Sequence, residues 1–280
     1  MLPTIVVLPL GALRSSFHLG RQRDSSAPKW CPHLAPTPGP AARRDTLDFC
    51  YALTRAHKLG LDTNHSLVVD VGTDQGTEAL TARGFGHHVV TFECRGEQAQ
   101  QLSRRLAFRN DTRLKLVHAC ISDRAGLGTL HRAADSSSMS SANVQVDGAS
   151  WKARREVRLG GFATETIPVM TLDHALDERS MVALGWGNLG ASQLGAPPVG
   201  FLKIDVQGLE GAVLRGAVDT LRRFKPFVFY EDSMLPAADR KGALLERIMR
   251  RRRPASSGPA HLNQEAYSCE CKNDCFCTPT

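Results

Sequence analysis

Short apolar runs and helically spaced segments alternate along the middle of the chain. SLVVDV (66–71), HHVVTFE (87–93), LKLVHACI (114–121), VGFLKIDV (199–206) and PFVFYED (226–232) are bounded by polar or glycine residues and read as strands. They are apolar on both faces, as strands buried between two layers are. Between them TEALTARGF (77–85), EQAQQLSRRLAFRN (97–110) and LEGAVLRGAVDTLRRF (209–224) carry helical patterns. This alternation predicts an α/β fold with a mostly parallel, doubly wound sheet. One more helix is expected in DTLDFCYALTRAHKLGL, with Leu47, Tyr51, Leu53 and Ala56 near helical spacing and Gly60 as its stop. No internal repeat is visible.

The pattern fails in three places. Residues 1–44 are proline-rich and aperiodic, which predicts a disordered or targeting extension ahead of a domain spanning 45–280. Insertions are expected near 132–166, which is polar and serine-rich, and near 177–198, which is glycine-rich. No stretch approaches the about 20 apolar residues that span a bilayer. MLPTIVVLPLGAL is short, broken by Pro9 and lacks a basic residue ahead of it, so it fits a secretory signal poorly. RSSFHLGRQRDSSAPK has the Arg- and Ser-rich, acid-poor composition of an organelle transit peptide; an unstructured extension on a cytoplasmic protein is the alternative.

Charge narrows the range of partners. The net charge is +7, but residues 1–60 hold eight Lys/Arg against three Asp/Glu, which leaves 27 against 25 in the remainder. A nearly neutral body argues against nucleic acid as a partner. The basic run MRRRRP (249–254) reads as a solvated helix end.

The chemistry concentrates in SLVVDVGTDQGTEAL (66–80), a strand, a glycine turn and a helix start. A dinucleotide turn needs a second glycine where the backbone approaches a pyrophosphate. Here Asp74 stands in that turn, and its repulsion from a diphosphate is about 4 kcal/mol at moderate screening. A nicotinamide cofactor is thereby disfavoured. S-adenosylmethionine has no phosphate and carries a sulfonium and an ammonium, so Asp70 and Asp74 suit it, with Gly72 and Gly76 keeping the turn tight. Glu93 closes the next strand 23 positions after Asp70, where an acid can accept from both ribose hydroxyls. Ser122 and Asp123 at the third strand tip are placed to border the adenine.

Taken together, VVDVGTDQG, VVTFE, ACISDRAG, IPVMTLDHAL, FLKIDVQGLEGAVLRGA and PFVFYED resemble the FkbM-type S-adenosylmethionine-dependent methyltransferases from about Leu67 to Asp232, and the closing YSCECKNDCFCTP resembles their last strand pair. The resemblance implies a class I, Rossmann-like methyltransferase sheet of about seven strands with an antiparallel C-terminal strand. It also implies methyl transfer to a hydroxyl of an acceptor. By position it puts cofactor contacts at Asp70, Gly72, Gly76, Glu93 and Asp123, and the reaction edge at Lys203 and Asp205. The chain departs from the family in having Asp74 and Gln75 where small neutral residues are commoner, and Gln207 where an acid is commoner.

At that edge Asp205 is expected to orient the acceptor hydroxyl and take its proton, with Lys203 fixing its charge. Its competing role is capping a helix that begins near Leu209. Glu231 is a second strand-tip acid with a similar claim or a structural hydrogen bond. No metal ligand is assigned. His87, His88, His118 and His174 lack ligand spacing, and Cys31, Cys50, Cys94 and Cys120 read as small core or surface residues. Cys269, Cys271, Cys275 and Cys277 can converge across a hairpin as zinc ligands, disulfides or plain thiols, the last favoured. Trp30, Trp151 and Trp186 fall in the extension or insertions, with nothing to select one as an acceptor contact. Two rivals to the methyltransferase reading are a catalytically inactive binding module of the same fold and a nicotinamide-dependent oxidoreductase.

Overall fold

The computed structural model describes residues 42–63, 65–133, 143–146, 162–186, 198–232, 235–240, 242–250, 267–271 and 274–280. The first half runs α1 (Ala42–Lys58), β1 (Leu67–Val71), α2 (Thr77–Gly84), β2 (His88–Glu93), α3 (Gly96–Arg104), α4 (Leu106–Asn110) and β3 (Leu114–His118). Next come β4 (Cys120–Ile121), β5 (Gly126–Ala133), β6 (Asn143–Val146), β7 (Phe162–Met170), α5 (Leu172–Ala175) and α6 (Glu178–Ala183). The chain closes with β8 (Val199–Ile204), α7 (Glu210–Arg215), α8 (Val218–Phe224), β9 (Phe227–Glu231), α9 (Ala243–Arg250), β10 (Tyr267–Cys271) and β11 (Asp274–Pro279).

Seven strands form the main sheet in the order β10-β11-β9-β8-β1-β2-β3. The five from β3 to β9 are parallel, and β11 returns antiparallel to β9. This is the expected α/β, doubly wound sheet of seven strands. Alternate side chains feed two cores. Val68, Val89 and Phe201 face α1 to α4, while Val69, Val90 and Leu202 face α5 to α9. All of β1 is buried because helices cover both faces.

Sequence periodicity misjudged several details. The buried face of α1 is Phe49, Ala52, Leu53 and Ala56, and Tyr51 is 50% exposed; the side chain of Leu47 lies outside the described residues. The helix already runs from Ala42, ahead of the expected boundary. The segment 97–110 breaks at Arg105, whose extended backbone separates α3 from α4. LKLVHACI divides at Ala119 between two sheets. Its last part, β4, joins a second sheet of order β4-β7-β5-β6. The expected insertion near 132–166 therefore contains the end of β5, β6 and much of β7, while 134–142 and 147–161 lie outside the described residues. The insertion near 177–198 contributes α6, capped by Asp177, whose carboxylate accepts from the Ser180 N–H at 2.7 Å. Trp186 from that segment is a core residue, with its indole N–H donating to Thr112 O at 3.0 Å. Trp30, Trp151, Cys31, Arg251–Pro254 and residues 1–41 lie outside the described residues.

The favoured thiols of the last hairpin are disulfides instead. Cys269 pairs with Cys277 and Cys271 with Cys275, each pair directly opposite in the β10–β11 register. Cys94 and Cys120, read from sequence as separate small residues, are joined as well. No described cysteine is free. Among the described residues no helix is long and apolar enough to cross a membrane.

Candidate functional site

Strands β1, β2 and β3 build outward on one side and β8 and β9 on the other, so the order reverses between β1 and β8. Ligands of such sheets bind beyond the strand ends at this switch point. Two turns meet there. The Asp205 N–H donates to Val71 O at 2.9 Å. Gly72 has φ +82°, and a Cβ at that position would lie 1.8 Å from Asp205 O. Glycine at 72 is therefore dictated by the neighbouring backbone as well as by its left-handed conformation.

Beneath the turn, Asp70 stands between its register partners Thr91 and Lys203. Thr91 Oγ1 donates to Asp70 Oδ2 at 2.9 Å, Lys203 Nζ lies 3.1 Å from Asp70 Oδ1, and Lys203 donates to Gly72 O at 2.7 Å. Asp70 and Lys203 are both buried. Burial alone would lower the Lys203 pKa; Asp70, Asp205 and Glu78 outweigh it and hold the ammonium well above its usual value. The charge on Asp70 is thus met by Lys203, and the pair anchors the floor of the site.

The turn itself offers the exposed chemistry. Asp74 sits at φ +43°, its N–H donating to Glu93 Oε2 at 3.0 Å. Arg95 bridges the two acids, with Nη2 2.5 Å from Asp74 Oδ1 and Nε 3.1 Å from Glu93 Oε1. Gly76 begins α2 at φ +77°, where a Cβ would meet the Phe108 ring at 2.5 Å. Glu93 is 4% exposed and takes further bonds from the Arg95 N–H. Its Oε2 accepts from the Asp74 N–H and keeps a lone pair for a hydroxyl.

Across the switch point Asp205 is half-buried, 3.8 Å from Lys203 Nζ, and accepts from Gln207 Nε2 at 2.8 Å. It does not cap the next helix. Leu209 holds the N-cap position without a side-chain bond, and Glu210 Oε1 accepts from Val206 N–H at 3.1 Å and Gly208 N–H at 3.0 Å. Gln207 is left-handed at φ +55°, which turns its amide back onto Asp205. Glu210, overlooked in the sequence, groups with Asp205 and Glu231: one carboxylate oxygen from each lies within 4.8 Å of the others. Burial, together with the nearby Glu231, pushes the Glu210 carboxyl up to about 7 against the backbone N–H groups that favour its charged form. Its position in the first turn after a strand tip was the available signal.

Ser122 and Asp123 follow β4 and lie against α7 and its exit. Gly216 has no room for a Cβ, which would meet Ser122 O at 2.0 Å, and Arg215 Nε is 3.1 Å from Asp123 Oδ2. The Cys94–Cys120 disulfide ties their strand to the residue after Glu93. The structure thus brings Asp70, Gly72, Lys203 and Asp205 into direct contact and joins Asp74 to Glu93, while Asp123 is engaged by Arg215.

No curated protein matches the chain. A solved FkbM methyltransferase from Methylobacillus flagellatus KT is similar at 14% identity with a TM-score of 0.41, over 76% of this chain and 43% of that one. The chain therefore corresponds to less than half of that protein. Residues 70–263 match the methyltransferase FkbM domain, a span that runs from the floor aspartate through both turns of the site and past α9, and the chain belongs to the FkbM methyltransferase family.

Proposed function

We propose that the protein transfers a methyl group from S-adenosylmethionine to a hydroxyl oxygen of an acceptor. The observation that carries this reading is the half-buried Asp205 carboxylate at the sheet's switch point, backed by buried Lys203, its backbone packed against the turn that bears Asp74, which Glu93 at the tip of β2 holds by a hydrogen bond. The donor set fits the cofactor chemically. Asp74 is exposed and suits a cationic amino-acid end, and Glu93 retains acceptor capacity for ribose hydroxyls. Gly72 and Gly76 hold that turn closed, with Ser122 and Asp123 bordering the neighbouring strand tip.

When bound, the cofactor supplies a sulfonium leaving group, so the chain has little covalent chemistry to do. Its own residues position the acceptor, and ordering of that kind is worth about 7–11 kcal/mol. Asp205 orients the acceptor hydroxyl and accepts its proton. Lys203, fixed by Asp70, holds its ammonium 3.8 Å from Asp205 Oδ2. Gln207 limits the carboxylate's rotation through the bond to Oδ1.

Calorimetric titration with S-adenosylmethionine and with NAD tests the cofactor. Binding of NAD alone would remove the proposal. Asp205→Asn is expected to retain cofactor affinity and to lower turnover about 10²–10⁴-fold. Unchanged turnover removes the base role, and a wild-type chain that binds cofactor but methylates no hydroxyl acceptor is a binding module instead. The three described disulfides support residence in an oxidising compartment. Fractionation with thiol trapping from cells checks it.

A further inference from the structure

We propose that Asp205, Glu210 and Glu231 hold a hard divalent cation of the magnesium or manganese type, and that the acceptor is a molecule with two neighbouring oxygens able to chelate it. Asp205 follows β8, Glu231 ends β9 alongside it, and Glu210 opens α7. One carboxylate oxygen of each falls within 4.8 Å of the other two. Ligand oxygens about 2.0–2.6 Å from one ion stand up to about twice that apart, so the spacing suits a shared ion. An all-oxygen set selects hard cations over zinc or copper.

Glu210 supplies an independent reason to place an ion there. It is wholly buried; Oε1 is satisfied by two backbone N–H groups, and Oε2 has no hydrogen-bond partner. A buried carboxylate oxygen without a donor is costly unless a proton or a cation meets it. Asp205 and Glu231 are only half-buried, so two of the three carboxylates reach solvent and leave a side on which acceptor oxygens can join the ion. The other acid and cysteine group, Asp232 with Cys271 and Cys275, has both sulfurs in one disulfide and no thiolate to offer.

Three carboxylates leave about half of an octahedral shell for water and acceptor oxygens. A vicinal diol, as in a sugar, fills two such positions, and a hydroxyl on a divalent cation loses its proton more readily. Asp205 binding through one oxygen keeps the other for the acceptor. The acceptor part of this inference rests on the methyl-transfer reading above; the cation part does not.

Mn²⁺ binding to the full chain, followed by electron paramagnetic resonance after chelator treatment, tests the site. One tight ion per chain is expected, with affinity lowered about tenfold or more by Glu210→Gln and by Glu231→Gln. Glutamine keeps the shape of both side chains and, at 210, the oxygen that accepts from the backbone, and unchanged calorimetric affinity for S-adenosylmethionine certifies their fold. No binding up to about 10 mM Mn²⁺, above the weakest specific sites, overturns the proposal and assigns a proton to Glu210. Affinity unmoved by both substitutions also overturns it. A chain that binds Mn²⁺ here but ignores S-adenosylmethionine upholds the cation site and removes the acceptor assignment.

Discussion

Lys203 Nζ lies 3.1 Å from Asp70 Oδ1, and the two side chains are 4% and 0% exposed. A buried pair is a poor source of net stability but a large liability when one member is removed. Lys203→Met is therefore expected to destabilise the protein by about 3–5 kcal/mol, because Asp70 is left charged in the sheet. Adding Asp70→Asn to that variant should recover part of the loss. Urea denaturation of the two variants measures this, and equal loss in both would contradict an electrostatic origin.

Gly72 and Gly86 form a controlled pair. Both have positive φ, +82° and +103°, but a Cβ at Gly86 meets nothing within 4 Å. Gly86→Ala should cost about 1 kcal/mol, the left-handed strain alone. Gly72→Ala adds a collision with Asp205 O and should cost at least about 2–3 kcal/mol. It should also weaken S-adenosylmethionine binding, because the two turns must part. Thermal unfolding of the two variants, with calorimetry for the cofactor, separates strain from collision.

Much of this site was legible because its geometry follows from strand tips. Asp70, Glu93 and Asp205 each lie at or just after the end of an apolar run, and the parallel register then brings those ends to one edge. What could not be read was anything depending on side-chain partners. Read from sequence, Asp70 serves the cofactor and Lys203 serves Asp205, because alternation along a strand does not reveal that β1 and β8 place the two side by side. Glu210 was passed over, although it follows a strand tip, because a glutamate opening a helix is ordinary on a surface and only the packing of α7 buries it. The second sheet escaped for another reason: GLGTLHRA and FATETIPVM are weakly apolar, and their pairing links residues far apart in the chain.

The two hairpin disulfides join residues directly opposite in register and close loops of separation 8 and 4. Each is worth about 2–3 kcal/mol by the chain-entropy estimate. Cys94–Cys120, at separation 26, closes a longer loop and should contribute somewhat more, about 3–4 kcal/mol. Reduction with dithiothreitol is expected to lower the melting temperature, and alkylation with mass spectrometry before reduction should find these six thiols blocked. Cys94→Ser with Cys120→Ser should in addition weaken cofactor binding, since Cys94 adjoins Glu93.

His87 gives a pH dependence with a definite sign. Its ring is fully buried, with Nε2 3.0 Å from His57 Nε2. Burial, reinforced by His57 and Arg83, lowers its pKa from 6.5 to about 4. The folded state thus binds fewer protons than the unfolded chain between those values, so the contribution is complete above pH 6.5 and is lost as pH falls toward 4. Its full size is about 3 kcal/mol, from 1.36 kcal/mol per pKa unit. Glu210 acts in the opposite sense, because a carboxyl raised to about 7 costs stability as pH climbs from 4.5. Comparing wild type with His87→Gln cancels that shared effect. Urea unfolding at several pH values should give wild type the steeper loss between pH 6.5 and 4, and parallel curves would mean that His87 keeps its ordinary pKa in the fold.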